Sequence, residues 1–126
     1  MLGDPYRVLI LEDDDQIATV LEDTLRDEGY DVQCVPNGWE GLSILARWSP
    51  DVIILDLMMP VMDGRSFRAA QRQLPPATAD LPVIVLSGAR DAHAQAEAMA
   101  AAAAIAKPFD LDDLLSTVGR ICQQSR

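Results

Sequence analysis

Short runs of apolar residues recur along the chain, and between them lie longer stretches whose apolar residues recur every three or four positions. Five runs predict strands, at residues 7–11, 30–35, 51–57, 83–86 and 103–106. The runs VIIL and VIVL are apolar on both faces, which is typical of strands buried in the middle of a parallel sheet. The run AAIA is the weakest of the five, because alanine is a poor strand former.

A stretch with helical spacing follows each of the predicted strands. Helices are expected around residues 17–25, 39–48, 64–74, 91–101 and 110–123. Asp14 is the expected cap of the first helix and Asp15 lies in its first turn, while Gly29 is a suitable stop. Asp91 is the expected cap of the fourth helix. Residues 75–82, PPATADLP, are predicted to be a loop.

Strand and helix therefore alternate five times, which predicts an α/β fold with helices on both faces of a parallel sheet. The carboxyl ends of parallel strands meet at one edge of the sheet, and such sheets bind ligands there. Five polar side chains follow the predicted strands and are expected to share a pocket at this edge: Glu12, Asp13, Asp56, Ser87 and Lys107.

The expected pocket combines three carboxylates with a single ammonium group. Clustered carboxylates repel one another, and a divalent cation or an ammonium group offsets that repulsion. Oxygen ligands of this kind suit Mg²⁺, which shares its coordination sphere with phosphate. A carboxylate beside Mg²⁺ and a lysine can attack phosphorus and become an acyl phosphate. Lys107 is the only lysine among ten basic residues, which favours a specific role for it.

Composition narrows the possible functions further. The chain has 126 residues, enough for one domain, and its formal net charge is −10. This balance argues against a nucleic-acid or anionic-membrane surface, because phosphate contacts need clustered basic residues. Cys34 and Cys122 form no CxxC pattern, and they are interpreted as reduced thiols of a cytosolic protein. No targeting segment or membrane-length apolar run is found, so a soluble cytoplasmic protein is expected.

Four motifs carry a resemblance to a known family. They are LILEDDDQI near the start, DLMMPVMDG in the middle, VIVLSGAR at and after the fourth strand, and AKPF near the end. Each alone would be weak, but all four occur in the right order at the right elements. The chain resembles the response-regulator receiver domain of two-component signalling over essentially its whole length.

The resemblance implies a flavodoxin-like, doubly wound, five-stranded sheet with strand order 2-1-3-4-5 and five helices in a single domain. It implies a receiver domain over residues 5–124, and no output domain is expected in this chain. A stand-alone receiver and one domain of a longer protein, such as a hybrid kinase, both remain open.

The resemblance also assigns roles within the pocket. Asp56 is similar to the phosphoacceptor, and Ser87 and Lys107 resemble the hydroxyl and the lysine that contact the phosphoryl group. Pro108 matches a position at which the family usually has a cis peptide bond.

The same resemblance implies a set of Mg²⁺ ligands. Asp13 and Asp56 resemble the direct carboxylate ligands, and Glu12 resembles a neighbour that acts mostly through water. Met58 resembles the residue whose backbone carbonyl completes the protein's share of the coordination sphere.

Two positions depart from the family pattern. The family usually places an aromatic ring three residues before the lysine, where this chain has Ala104. A methyl group cannot act as a rotamer switch, so the readout of phosphorylation is expected to differ while the pocket chemistry is kept. A glycine common seven residues before the lysine is replaced by Ala100.

The expected function is a signalling switch. A histidine kinase or histidine phosphotransfer protein transfers a phosphoryl group to Asp56 with Mg²⁺, and binding of a downstream protein target changes. The chain is expected to catalyse only its own phosphorylation and dephosphorylation. One alternative is a phosphorylation-independent interaction module, for which Ala104 is the best support. A haloacid-dehalogenase-like phosphatase is disfavoured, because Met58 stands where that family has its acid/base aspartate.

Overall fold

The architecture is a parallel five-stranded sheet in the order β2-β1-β3-β4-β5. The computed structural model describes residues 3–88, 90 and 92–124. The strands are β1 Arg7–Leu11, β2 Asp31–Val35, β3 Val52–Asp56, β4 Val83–Ser87 and β5 Ala103–Ala106. All four strand pairings are parallel. The predicted α/β fold class and the flavodoxin-like strand order are therefore confirmed.

Six helices occur in the described residues, one more than predicted. They are α1 Asp15–Asp27, α2 Gly38–Leu45, α3 Gly64–Gln71, α4 Pro76–Ala79, α5 Ala92–Ala98 and α6 Leu111–Gln124. The prediction of a loop over residues 75–82 was wrong for α4, a single turn. Pro76 begins this turn, because the first helical position needs no N–H donor. No helix in the described part of the chain is both long and apolar enough to cross a membrane.

The two ends of α1 agree with the cap and the stop predicted from the sequence. The Asp14 carboxylate accepts hydrogen bonds from the backbone N–H groups of Gln16 and Ile17, at 2.9 and 3.1 Å. Asp15 lies in the first turn, and the helix is followed by Gly29 in a left-handed conformation, with φ of 94°. Gly29 can adopt this conformation because it has no Cβ. The predicted cap of α5, Asp91, lies outside the described residues.

The sheet separates two hydrophobic clusters. On one face, Ile10 and Ile54 pack with Leu21 of α1 and Val118 of α6. On the other face, strand residues pack with α2, α3 and α5, and Phe67 of α3 is completely buried. Burial of a side chain of this size stabilises the fold by roughly 1.5–3 kcal/mol.

All five residues of β3 and all five of β4 are buried, as expected of central parallel strands. Asp56 and Ser87 are the last residues of these two strands. The apolar residues before them are therefore fixed by packing on both faces of the sheet. This packing holds the two polar side chains at its carboxyl edge.

Gly64, the first residue of α3, packs directly against the backbone of the acidic strand end. A Cβ added here would lie 2.5 Å from the Asp56 carbonyl oxygen and 2.8 Å from the Leu57 Cα. Neither neighbour is the flexible end of a side chain, so the backbone itself would have to move. The close approach of α3 to β3 therefore requires glycine at this position.

We expect Gly64→Ala to lower the free energy of unfolding by roughly 1–3 kcal/mol, because the added methyl overpacks a backbone contact. Gly119→Ala is the matched control within α6, where the nearest atom to an added Cβ is the Tyr30 hydroxyl at 3.7 Å. This control should stabilise the protein by about 0.5–1 kcal/mol, because alanine is the better helix former. Urea unfolding followed by circular dichroism measures both changes. A Gly64→Ala protein as stable as the wild type would contradict the close approach.

Candidate functional site

Three acidic side chains meet at the carboxyl edge of the sheet. Glu12 and Asp13 follow β1, and Asp56 ends β3. One carboxylate oxygen from each of the three lies within 4.8 Å of the others. Glu12 and Asp56 are buried, whereas Asp13 is exposed. The cluster is therefore open to solvent on the side of Asp13 and closed on the side of the sheet.

The Lys107 side chain bridges the two buried carboxylates. Its Nζ lies 2.9 Å from Glu12 Oε1 and 3.4 Å from Asp56 Oδ1. The side chains of Glu12 and Asp56 are 0% and 4% exposed, so both ion pairs are largely shielded from water. Water and salt screen the attraction between these charges less than they screen it in an exposed ion pair. Four of the five predicted pocket residues therefore lie close together in the structure. They are Glu12, Asp13, Asp56 and Lys107.

Burial in the cluster raises the pKa of Glu12. Burial and a hydrogen bond to Asp56 raise the pKa of Glu12 to about 7, although Lys107 acts in the opposite direction. Burial also disfavours the Lys107 ammonium, but the hydrogen bond to Glu12 and the charge of Asp56 outweigh it and raise the lysine pKa. Lys107 is therefore charged at neutral pH, and burial is the main reason that the pKa of Glu12 is raised, with repulsion from the charge of Asp56 a smaller one.

Backbone donors orient the two buried carboxylates. The N–H of Asp14 donates to Glu12 Oε2 at 3.2 Å, and the N–H of Met58 donates to Asp56 Oδ1 at 3.1 Å. The second contact holds the backbone of Met58 beside Asp56, while the Met58 side chain is 75% exposed. The loop after β3 therefore folds back over its own aspartate.

Ser87 and Lys107 are joined through the backbone. Ser87 is buried at the end of β4, and its carbonyl oxygen accepts a hydrogen bond of 2.9 Å from the Lys107 N–H. This contact continues the pairing of Ser87 with Ala106 and fixes where the chain leaves β5. The peptide bond between Lys107 and Pro108 is cis, as the resemblance implied.

A cavity of about 420 Å³ lies beside the acidic cluster and includes residues that the sequence did not single out. Asp13 and Met58 line it together with Asp63 and Arg65 from the start of α3. The Asp63 carboxylate accepts a hydrogen bond of 2.8 Å from the Ser66 N–H and so caps α3. Asp63 lies within the motif DLMMPVMDG, but nothing in the sequence indicated that Arg65 borders the site.

The donor set fits a magnesium ion. All three candidate side chains offer carboxylate oxygen, and the exposed position of Asp13 leaves room for water and a phosphoryl oxygen. No sulfur or imidazole group belongs to the cluster, so its chemistry favours a hard cation over a transition metal.

Ala104 lies on β5 opposite Val85 and packs, partly buried, against the second hydrophobic cluster. Its methyl group occupies little of the space that an aromatic ring would fill. Ala100, just before β5, has a left-handed backbone with φ of 53°. Glycine adopts this conformation without strain, whereas alanine is penalised by roughly 1–2 kcal/mol.

Comparison with known proteins agrees with this geometry. The family model described as the response regulator receiver domain matches residues 8–119. The response regulator MprA of Mycobacterium sp. (strain KMS) is 35% identical over 124 residues, which cover 96% of this chain and 52% of the relative. The chain therefore spans about half the length of such relatives.

Solved structures show the same fold. The chemotaxis response regulator CheY4 of Vibrio cholerae has a TM-score of 0.84 and 31% identity, covering 93% of this chain and 98% of that one. The receiver domain of sensor histidine kinase PA1611 from Pseudomonas aeruginosa has a TM-score of 0.85 and 26% identity, covering 94% and 98%. That structure has a magnesium ion coordinated in its active-site cleft. The chain described here belongs to the response regulator receiver domain family.

Proposed function

We propose that this receiver domain is a phosphoryl-accepting switch in which Asp56 is the acceptor. The observation that carries the proposal is the buried Asp56 carboxylate, 3.4 Å from Lys107 Nζ and within 4.8 Å of the carboxylate oxygens of Glu12 and Asp13. Burying a carboxylate among other carboxylates destabilises the folded state unless nearby positive charge offsets it. Phosphoryl transfer uses such an arrangement, because the reaction needs a nucleophile and nearby positive charge.

The chemical step is an in-line displacement at phosphorus. An oxygen of Asp56 forms the new P–O bond as the P–N bond of a phosphohistidine breaks, and the imidazole of the donor leaves and takes up a proton. Lys107 offsets negative charge on the transferred phosphoryl group, to which Ser87 donates a hydrogen bond. Hydrolysis of the acyl phosphate by water restores the Asp56 carboxylate and resets the switch.

Mg²⁺ is the proposed cofactor, held by the carboxylates of Asp13 and Asp56, the backbone carbonyl of Met58 and, through water, Glu12. When bound, it supplies positive charge to the phosphoryl oxygens. The oxygen-only donor set and the exposure of Asp13 support this assignment.

The proposed phosphodonor is a histidine kinase or a histidine phosphotransfer protein. An apolar groove of about 600 Å³ lies next to the site, lined by Ile17 and Val20 of α1, Phe109, Leu111 and the stem of Lys107. Val20 is 46% exposed and Leu111 37% exposed, so an apolar surface is available to a protein that presents its histidine to Asp56. A downstream protein target would then recognise the phosphorylated state.

The proposed receiver domain spans residues 5–124, lies in the cytoplasm and turns over no external substrate. The alternative is an interaction module that works without phosphorylation, and the small Ala104 side chain on β5 favours it. The presence of the whole set Glu12, Asp13, Asp56, Ser87 and Lys107 favours the switch, because a module that binds no phosphoryl group would have no reason to keep all five.

The test is the intact mass of the protein after incubation with Mg²⁺ and acetyl phosphate. We expect one added phosphoryl group on the wild type and none on Asp56→Asn, which keeps the shape of the side chain but removes the nucleophile. Asp51→Asn, on the opposite edge of the sheet where Asp51 accepts from the Arg7 N–H, is the matched control and should still be labelled. Absence of an adduct on a folded, Mg²⁺-bound wild type would favour the phosphorylation-independent module.

Mg²⁺ should raise the melting temperature, because it binds the assembled carboxylate cluster and not the unfolded chain. At ten times its Kd the cation adds about 1.4 kcal/mol, or roughly 5 °C for a domain of this size. We expect Asp13→Asn to abolish most of this rise and Asp15→Asn, an exposed acid in the first turn of α1, to retain it. Differential scanning calorimetry with and without Mg²⁺ measures the shift. An unchanged shift in Asp13→Asn would remove Asp13 from the set of ligands.

A further inference from the structure

A basic groove lies between α3 and the end of α5, and it shares Arg65 with the cavity beside the acidic cluster. Its α3 wall carries Arg65, Arg68, Ala69 and Arg72, which are spaced i, i+3, i+4 and i+7 and so share one side of the helix. The other wall is formed by Gln95, Ala98, Met99 and Ala100. The groove has a volume of about 590 Å³, because the alanines opposite the arginines leave it unfilled.

The central arginine of the groove is fixed and buried. Arg68 is only 6% exposed. Its Nε donates to the Met99 carbonyl at 3.0 Å, Nη2 to the Ala100 carbonyl at 2.8 Å, and Nη1 to Gln71 Oε1 at 2.8 Å. These acceptors are neutral oxygens, so Arg68 ties α3 to the end of α5 without its charge being neutralised.

Three positive charges are thus gathered in a protein whose formal net charge is −10. The ion pairs found among the described residues involve Arg7, Arg26 and Lys107, while the Asp63 carboxylate attracts the charge of Arg65. Burial and the neighbouring charge of Arg72 lower the pKa of Arg68, the direction expected of repulsion between like charges. An anion in the groove would relieve that repulsion.

The spacing of the charges indicates the shape of the anion. Arg65 and Arg72 lie two helical turns apart, about 10 Å along the axis. Two acidic groups that pair with them would therefore have a similar separation along the groove. Apart from Gln95 and the buried Arg68, the rest of the lining is small or apolar: Ala69, Ala98, Met99 and Ala100. This arrangement matches a chain segment with two acidic side chains about two turns apart and apolar side chains between them.

We propose that the groove between α3 and α5 binds an acidic, partly apolar segment of another protein. Its carboxylates would pair with Arg65 and Arg72, whose guanidinium groups suit bidentate contacts. Its apolar side chains would lie over Ala69 and Ala98. The groove includes neither Asp56 nor Lys107, so this proposal does not rest on the proposed phosphorylation.

The probe is a fluorescein-labelled helical peptide with two glutamates seven residues apart and leucines between them, and the same peptide with glutamines is its control. Arg65→Gln/Arg72→Gln removes two exposed arginines and keeps the buried Arg68. Arg47→Gln/Arg120→Gln removes two exposed arginines outside the groove and has the same net charge. Fluorescence anisotropy gives the Kd for each protein, and circular dichroism checks that all are folded.

We expect the groove variant to bind the glutamate peptide about tenfold more weakly than the wild type, with the control variant within twofold of it. The glutamine peptide should bind the wild type as weakly as the glutamate peptide binds the groove variant. Backbone amide shifts should change at Ala69 and Ala98. Absence of peptide binding to the wild type, or equal weakening in both variants, would overturn the proposal. Displacement of the peptide by an equal concentration of inorganic phosphate would also overturn it, since the site would then be one for small anions.

Discussion

The bridge from the Lys107 ammonium to the carboxylates of Glu12 and Asp56 is the interaction on which the site depends. Glu12 and Asp56 are buried, and an isolated buried carboxylate would be strongly destabilising. Lys107 lies 95 residues after Glu12, so the bridge forms only when the ends of β1, β3 and β5 lie at one edge of the sheet. The fold and the chemistry of the site are therefore linked through one side chain.

The apolar strands make this arrangement possible. β1 and β3 are paired from Val8 with Val52 to Leu11 with Leu55, and both faces of the sheet are packed against helices. A shift in this register would separate Glu12 from Asp56 and break the bridge. Gly64 lets α3 approach the end of β3 closely, which further limits where Asp56 can lie. The apolar core packs without contributions from these carboxylates, and its packing offsets the free-energy cost of burying them.

The strands and the acidic edge were predictable for identifiable reasons. A run such as VIVL has no polar face, so it indicates a central strand without reference to the rest of the chain. Asp56 stands at the end of another such run, and the rule that parallel strands end at one edge then groups it with Glu12 and Lys107. The single turn of α4 was missed, because the three prolines of PPATADLP favoured the prediction of a loop. The end of α5 fell short of the predicted Ala101, because an alanine run does not distinguish helix from the strand that follows.

The groove of arginines was not predictable from the sequence. An arginine at helical spacing is usually interpreted as a solvated surface residue, whereas Arg68 is buried against the end of α5. Two of its acceptors, the backbone carbonyls of Met99 and Ala100, lie more than 30 residues away along the chain, and no side-chain pattern indicates such a contact. The left-handed backbone at Ala100, next to these carbonyls, is likewise a tertiary constraint that overrides local preference.

Of the two carboxylates that Lys107 bridges, Asp56 is the proposed phosphoryl acceptor. The most direct test of this assignment is to treat the wild type with acetyl phosphate and Mg²⁺, reduce it with sodium borohydride and sequence its peptides by mass spectrometry. Hydride reduces an aspartyl phosphate to homoserine and releases phosphate, so the modified residue is marked permanently. We expect homoserine at position 56 and unmodified acids at positions 12 and 13. Conversion of either of those instead, or of no residue in a folded protein, would contradict it.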